Sequence, residues 1–540
     1  MLTKAQYCNR ACQQKHWAAH KTDCKSPLRK ETWLPGWETN NRLPNFIGDG
    51  PSIVSHGTRK YFWGNVPALD ILRLSEHEGE TYGQDLVLLF AASGDPRNII
   101  KSIAAIPGTY SNSILVTVND IDFDIVARNA IMLLIVLTEP DKEEAVDCML
   151  HLWYSSNIQQ KHLELLEAKI RPLVEDVILK IADKAAGSLQ RKTWILGNNT
   201  FRLTLVKEQW SILLRYLEVP VGVTEPVARH VRTAVTMARR DYIDRSYLAQ
   251  LPSHRVCMER FRANGILLPF GESTEAFKVP NPTFYQTAAW PMMDSADPLD
   301  GWDWREVLKT SSGLATNDLY GKLVVYLKRH FSDFHNVLQS HTSTFSLFNV
   351  NAGSLPHHLP RNNFARIEVS NIVDRAYLGI EKTLGLLGPL LQPPSVNPHA
   401  AMLTLFMNAI PEMLSEKEQK NIAGPEMKLA MQYMTKVPPA RLFGGNMAAA
   451  MQTEMIKMMG ASVLVRDVDK YFNMYMKVHR FDMFPAFMQM VPREPNTIIE
   501  KWPLRLKLFP HEKGAKEEFN SLLSSAHTGI ERYVEWNRTK

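Results

Sequence analysis

The run Leu86-Val87-Leu88-Leu89-Phe90 is apolar without alternation, a pattern a strand tolerates only when both of its faces are covered. It leads at once into Ala91-Ala92-Ser93-Gly94-Asp95-Pro96. Small residues and one glycine turn the chain there. Pro96, with its fixed φ, suits the first turn of a helix, and Asp95 is the expected N-cap. A helix over 97–105, a second apolar strand over 113–118 ending in Asn119-Asp120-Ile121-Asp122, and a second helix over about 124–137 complete a βαβα start. Chains that begin this way lay helices on a parallel sheet.

The period then becomes helical and strands are scarce from Asp141 to His335, with a helix expected to begin near Thr224-Glu225-Pro226. The sheet pattern returns with strand-like segments over 344–350 and 366–370, a helix over 376–387 and a further apolar strand over 401–407. The expected architecture is α/β: a Rossmann-like, methyltransferase-like doubly wound sheet with a large helical insertion, a small N-terminal helical hairpin and a helical C-terminal region. The corresponding boundaries are the hairpin at 1–25, a linker at 26–55 and the first part of the sheet domain at 56–140. They continue with the insertion at 141–335, the second part of the sheet domain at 336–410 and the helical region at 411–540. In that last region Met447, Met451, Met455 and Met458 fall on one helical face, and core packing is the expected use.

A chain of 540 residues with 45% hydrophobic and 22% charged residues has the balance of a folded globular protein. Its net charge of +6, from 62 basic and 56 acidic residues, selects no partner. Basic and aromatic residues do not interleave, which argues against nucleic acid. Arg229, Arg232, Arg239 and Arg240 read as a solvated face ahead of a basic groove. The strongest apolar stretch, 130–138, is too short to span a bilayer, and residues 1–14 lack the apolar core of a signal peptide. The expected setting is intracellular, in cytoplasm or nucleus.

Three of the five cysteines fall within the first 24 residues. Cys8, Cys12, His20 and Cys24 offer four zinc-competent side chains, and spacings of four stack Cys8 over Cys12 and His20 over Cys24 on helical turns. Thiolate with imidazole suits zinc in a structural site. With Gln13 after the second cysteine and Trp17 three before the histidine, the segment resembles the C-terminal half of MYND-type zinc fingers. The resemblance implies two cross-braced zincs, with Cys8 and Cys12 sharing one and His20 and Cys24 the other, each completed by an upstream pair. Three readings follow: a finger whose first half precedes Met1, one zinc held by all four residues, or a vestigial helical hairpin with free thiols. The finger's expected partner is a protein.

Trp63-Gly64-Asn65-Val66-Pro67-Ala68, Gly94-Asp95-Pro96-Arg97-Asn98, Asn119-Asp120-Ile121-Asp122 and Ala127-Arg128-Asn129 resemble a domain of unknown function common in fungal MYND-finger proteins. That domain is similar to the N-terminal part of dynein axonemal assembly factor 3, which implies a role in complex assembly. The same pattern looks like a methyltransferase that binds S-adenosylmethionine. In such a site Gly94 and Asp95 form the first turn, Asp120 or Asp122 takes the ribose, Asn351 lies near the adenine, and Ser370, Asn371 and Asp374 lie near the methyl group. A fold kept as scaffold without catalysis is placed ahead of that reading, with Asp120 then expected to cap a helix. No nucleophilic triad, phosphate loop or His-Glu-x-x-His site is visible, and neither Cys148 nor Cys257 has the setting of a nucleophile.

Overall fold

The structure, a computed structural model, describes residues 10–47, 56–416, 418, 424–434 and 447–539. Its strands are β1 (Leu86–Ala91), β2 (Ile114–Asp120), β3 (Asn157–Ile158), β4 (Leu189–Leu196), β5 (Asn199–Val206), β6 (Val279–Pro280), β7 (Ser343–Asn349), β8 (Arg366–Glu368), β9 (Ala401–Phe406), β10 (Met490–Pro492) and β11 (Arg532–Arg538). Nine of them form one sheet in the order β10-β11-β9-β8-β1-β2-β7-β5-β4, while β3 and β6 pair with each other. The six strands from β9 to β5 are parallel, and the edges are antiparallel. From β1 the chain adds β2 and β7 on one side, then crosses to add β8 and β9 on the other. That reversal puts a topological switch point at the β1/β8 seam.

Both faces of the sheet are covered, as the unalternating β1 requires. Leu86, Leu88 and Phe90 enter a core with the helices Arg97–Ala104, Phe123–Thr138 and Leu319–Ser340. Leu89 and Ala91 enter a second core with Ile380–Leu387 and Val468–Val478. The first core also takes in Ala145, Trp153, Trp210, Phe261 and Tyr285, so the region expected as an insertion packs into the same interior as the sheet.

Four features differ from the sequence reading. The hairpin β4–β5 lies inside the helical region and extends the sheet; its two-residue connection carries Gly197 at φ +61°, the geometry that fits strand twist. At the other end β10 and β11 add strands from the C-terminal region. Residues 10–25 form a single helix, Arg10–Lys25, in place of a hairpin, because no glycine or proline interrupts good helix formers. Residues 26–47 are docked rather than free as a linker. Trp37 is fully buried and its indole N–H donates to Thr453 Oγ1 at 2.9 Å, while Arg42 pairs with Asp241 at 2.6 Å.

The methionine face also departs from expectation. Met447, Met451 and Met455 are exposed, whereas Met458 packs beside Tyr433 and Phe519. Ala449, Ala450, Thr453 and Ile456 supply the buried side of the helix Met447–Val465.

The segment before β1 lies along the seam and is bound to it by buried charge. Arg97 pairs with Asp95, both buried, and its Nε donates to the Val66 carbonyl at 3.0 Å. Asp95 also accepts the Gly64 N–H at 2.7 Å, and Leu69 N–H reaches Asn98 Oδ1 at 2.9 Å. A Cβ on Gly64 would stand 2.2 Å from the Arg97 guanidinium, so no side chain fits. Glu368, at the end of β8, shares this corner. Its Oε1 accepts the Ser370 N–H at 2.7 Å, and its Oε2 lacks a partner of good geometry although the Asn98 amide lies close. Burial, opposed by that N–H and by the charge on Arg97, pushes the Glu368 carboxyl up to about 7.

Three substitutions test this corner. Arg97→Ala strands the Asp95 carboxylate in the interior and is expected to cost about 3–5 kcal/mol. Gly64→Ala displaces the same guanidinium at a cost of about 1–3 kcal/mol. Urea denaturation of the full chain measures both, and variants as stable as the wild type would remove the corner's assigned role. For Glu368, the folded chain keeps a proton that the unfolded chain loses from its ordinary value near 4.5 up to about 7. Stability therefore falls as pH rises through that window, by up to about 3 kcal/mol from this group. Glu368→Gln is expected to flatten that slope in urea midpoints compared at about pH 5 and about pH 8. An unchanged slope would show that the carboxyl is ionised throughout.

Candidate functional site

The crevice of a doubly wound sheet lies outside the C-terminal strand ends at the switch point, so the loops after β1, β2, β7 and β8 are the candidate site. β1 ends in a tight turn in which Ala92 and Gly94 take φ of 53° and 58°. A Cβ on Gly94 would meet nothing within 4 Å, so the backbone angle, not crowding, favours glycine there. The Gly94 N–H donates to Asp120 Oδ2 at 3.0 Å, and Asp120 Oδ1 accepts the Asp122 N–H at 2.9 Å. Burial pushes the Asp120 carboxyl up against those two donors. Asn129 Nδ2 donates to the Gly94 carbonyl at 2.7 Å and closes the turn from the helix behind it.

Asn119 links this turn to the next strand end: its side chain accepts from Ala92 N–H at 3.3 Å and donates to the Val350 carbonyl at 2.5 Å. Asn351 follows directly. Its Oδ1 accepts the Gly353 N–H at 2.8 Å and caps the short 3-10 turn Ala352–His357. Gly94, Asp120 and Asn351 thus stand at the ends of three adjacent strands, β1, β2 and β7.

Asp95 is not with them. Its carboxylate is turned back to Gly64 and Arg97, and Pro96 occupies the N-cap position of the helix Arg97–Ala104 without a side-chain cap bond. Helix capping after β2 falls to Asp122, which accepts the Asp124 N–H at 2.9 Å and pairs with Lys60 at 2.6 Å. Asp120, the expected cap, holds the Gly94 turn instead.

Beyond β8, Ser370 takes φ 50°. Asp374 accepts the N–H groups of Met407 and Asn408 at 3.2 and 3.3 Å and so fastens this loop to the one after β9. Burial, against those donors, pushes the Asp374 carboxyl up to about 6. Asn371 reaches Asp374 at 3.4 Å. The polar residues of this loop bind one another.

Of the expected zinc ligands, Cys8 and the side chains of Cys12 and His20 lie outside the described residues, and Cys24 is half-buried. Positions 12 and 24 sit on one helix, about 18 Å apart along its axis. Each pair at spacing four supplies two of the four donors that a closed zinc site takes. Among the described residues no group of three or more His, Cys, Asp or Glu side chains is placed to hold a metal.

The arginines read as a solvated face are engaged rather than aligned in a groove. Arg229 pairs with Glu225, Arg239 with Asp294 and Arg240 with Asp244 and Glu259, while Arg232 is buried on the carbonyls of Phe261 and Arg262.

One arrangement escaped the sequence. Asp147, His151 and Ser155 follow one another at spacing four, the only signal of a chain that runs from Asp147 Oδ1 to His151 Nε2 at 3.7 Å and from His151 Nδ1 to Ser155 Oγ at 3.0 Å. Ser155 is fully buried and its oxygen accepts the Leu267 N–H at 3.0 Å. Burial holds His151 down to about 3. The imidazole is neutral, no substrate reaches the hydroxyl, and the arrangement ties helix to loop. Cys148 is equally buried, its thiol pushed well up, and Cys257 is buried too.

Among the described residues no helix is long and apolar enough to cross a membrane. Residues 62–158 match the family described as a domain of unknown function (DUF4470). Over 81 residues the chain is 36% identical to dynein axonemal assembly factor 3 of Danio rerio, a stretch that covers 15% of this chain and 17% of that protein. The chain therefore spans about a sixth of that relative's length. No solved structure matches.

Proposed function

We propose that this chain is an assembly factor, an α/β scaffold that works through protein partners in the cytoplasm or nucleus. The observation that carries the reading is the use made of the shared motifs. Within the matched stretch 62–158, Gly64, Asp95, Arg97 and Asn98 lock the pre-strand segment to the first helix. Arg128, buried between the rings of Phe62 and Phe284 at 4.5 and 4.3 Å, donates to the carbonyls of Thr283, Leu152 and Trp153. These side chains are spent on joints, as a scaffold requires. The partial identity to an assembly factor supports the same reading.

A second reading, S-adenosylmethionine binding at the strand ends, is favoured by the open space at Gly94 and by the adjacency of Asp120 and Asn351. Against it, Asp95 faces away and each oxygen of Asp120 already takes a backbone N–H. Calorimetric titration of the full chain with S-adenosylmethionine separates the two. The scaffold reading expects no binding heat. Saturable binding that disappears in Asp120→Ala would replace it with the second.

The segment 1–25 carries the proposed zinc function, with Cys8, Cys12, His20 and Cys24 as its ligands. Zinc content by mass spectrometry tests this: Cys24→Ser is expected to lower it. A zinc-free chain, or content unaffected by the substitution, would leave the finger without its metal.

A further inference from the structure

A cavity of about 690 Å³ opens between the helices Arg240–Tyr247, Pro252–Asn264 and Met447–Val465, the loop 294–300 and the segment 522–528. Neither Gly94, Asp120 nor Asn351 lines it, so it is separate from the strand-end loops. Its volume falls within the roughly 300–1,000 Å³ of small-molecule sites. Most of the wall is apolar, with Ile243, Leu248, Met258, Leu319, Ile456 and Leu522 facing inward.

The polar part of the wall is unevenly satisfied. Asp294 is held by Arg239 at 2.8 and 2.9 Å. Asp297 accepts the Tyr320 hydroxyl at 2.6 Å and the Leu299 N–H at 2.9 Å. Asp300 differs. Its backbone carbonyl takes His527 Nε2 at 3.1 Å, but among the described residues nothing donates to its carboxylate. Arg262, whose charge reaches both acids, has committed its Nη1 to the Asp294 carbonyl at 2.6 Å. Trp304 Nε1 and His527 Nδ1, on wall side chains more than nine-tenths buried, also lack hydrogen-bond partners. His527 donates from Nε2, so its buried Nδ1 is an acceptor that a ligand's N–H can satisfy, recovering the cost of leaving it unpartnered.

We propose that this cavity binds a small, mostly apolar organic amine, whose ammonium group pairs with the Asp300 carboxylate beside Asp297 while its hydrocarbon part lies against the apolar wall. Burial and the neighbouring Asp297 push the Asp300 carboxyl well above its ordinary range, and an incoming cation opposes that shift by favouring the ionised form. A ligand with a carboxylate head would add a third acid beside this pair and has no such pairing to gain. Gly460 lines the cavity, and a Cβ there would meet only Leu523, at 3.6 Å, so a larger side chain can be introduced to fill the space.

Calorimetric titration of the full chain with n-octylammonium, n-octanol and n-octanoate tests the assignment. Octylammonium is expected to bind one-to-one and octanoate not to bind. Asp300→Asn is expected to weaken octylammonium by about ten-fold or more, the worth of a charge-assisted hydrogen bond, and to leave octanol unchanged. Gly460→Phe is expected to abolish both, with circular dichroism confirming its fold; the Asp300→Asn comparison decides alone if that variant does not fold. The proposal is overturned by octylammonium failing to bind below its micelle concentration, by octanoate binding equally well, by an unchanged affinity in Asp300→Asn, or by binding that persists in a folded Gly460→Phe.

Discussion

The β1/β8 seam is pinned at both ends by buried arginines, and the rest of the molecule is arranged around that constraint. At one end Arg366, the first residue of β8, is fully buried and meets Glu78 through both terminal nitrogens at 2.8 Å, while donating to the carbonyls of Ile71, Leu72 and Ala365. At the other, Arg97 meets Asp95 and Val66. An unpaired charge in such a place costs several kcal/mol, about 3–5 when one partner is removed. The sheet is therefore stable only with the segment 62–78 laid along the seam to supply Val66, Ile71, Leu72 and Glu78.

This dependence explains why the matched domain begins well before the first strand. Residues 62–85 contain no strand, yet they provide the acceptors that make two interior guanidiniums tolerable. It also bears on the strand ends. The turn after β1 that would approach a cofactor is tied to Asn119, Asp120 and Asn129, and the loop after β8 is tied through Asp374 to the loop after β9. Hydrogen bonds that hold loops to one another make a firm scaffold rim. The cavity with Asp297 and Asp300 is built differently, with an apolar wall and a carboxylate left without a donor.

The parts legible in the sequence were those with a local cause. The βαβα start, the return of strands over 343–349, 366–368 and 401–406, and the helix opening at Glu225 appeared where period and turn residues placed them. What was missed had distant causes. β4 reads Leu-Gln-Arg-Lys-Thr-Trp-Ile-Leu, a charged and mostly exposed strand whose identity rests on pairing with β5. β11 depends on β9, more than a hundred residues away in sequence. The segment 26–47 has a loop's composition, but Trp37 anchors it because a slot beside Thr453 exists to receive the indole.

By itself the sequence determined that a parallel sheet covered on both faces would form, and which residues would stand at the ends of β1, β2 and β7, because unalternating apolar runs and the turns that end them act over a few residues. Only the tertiary structure decided what those residues do. Whether Asp95 caps a helix or neutralises Arg97, whether the methionines of 447–455 are covered, and whether Asp300 finds a donor all depend on which distant segments arrive beside them. A carboxylate's role follows from its nearest donor, and that donor is set by packing rather than by neighbours along the chain.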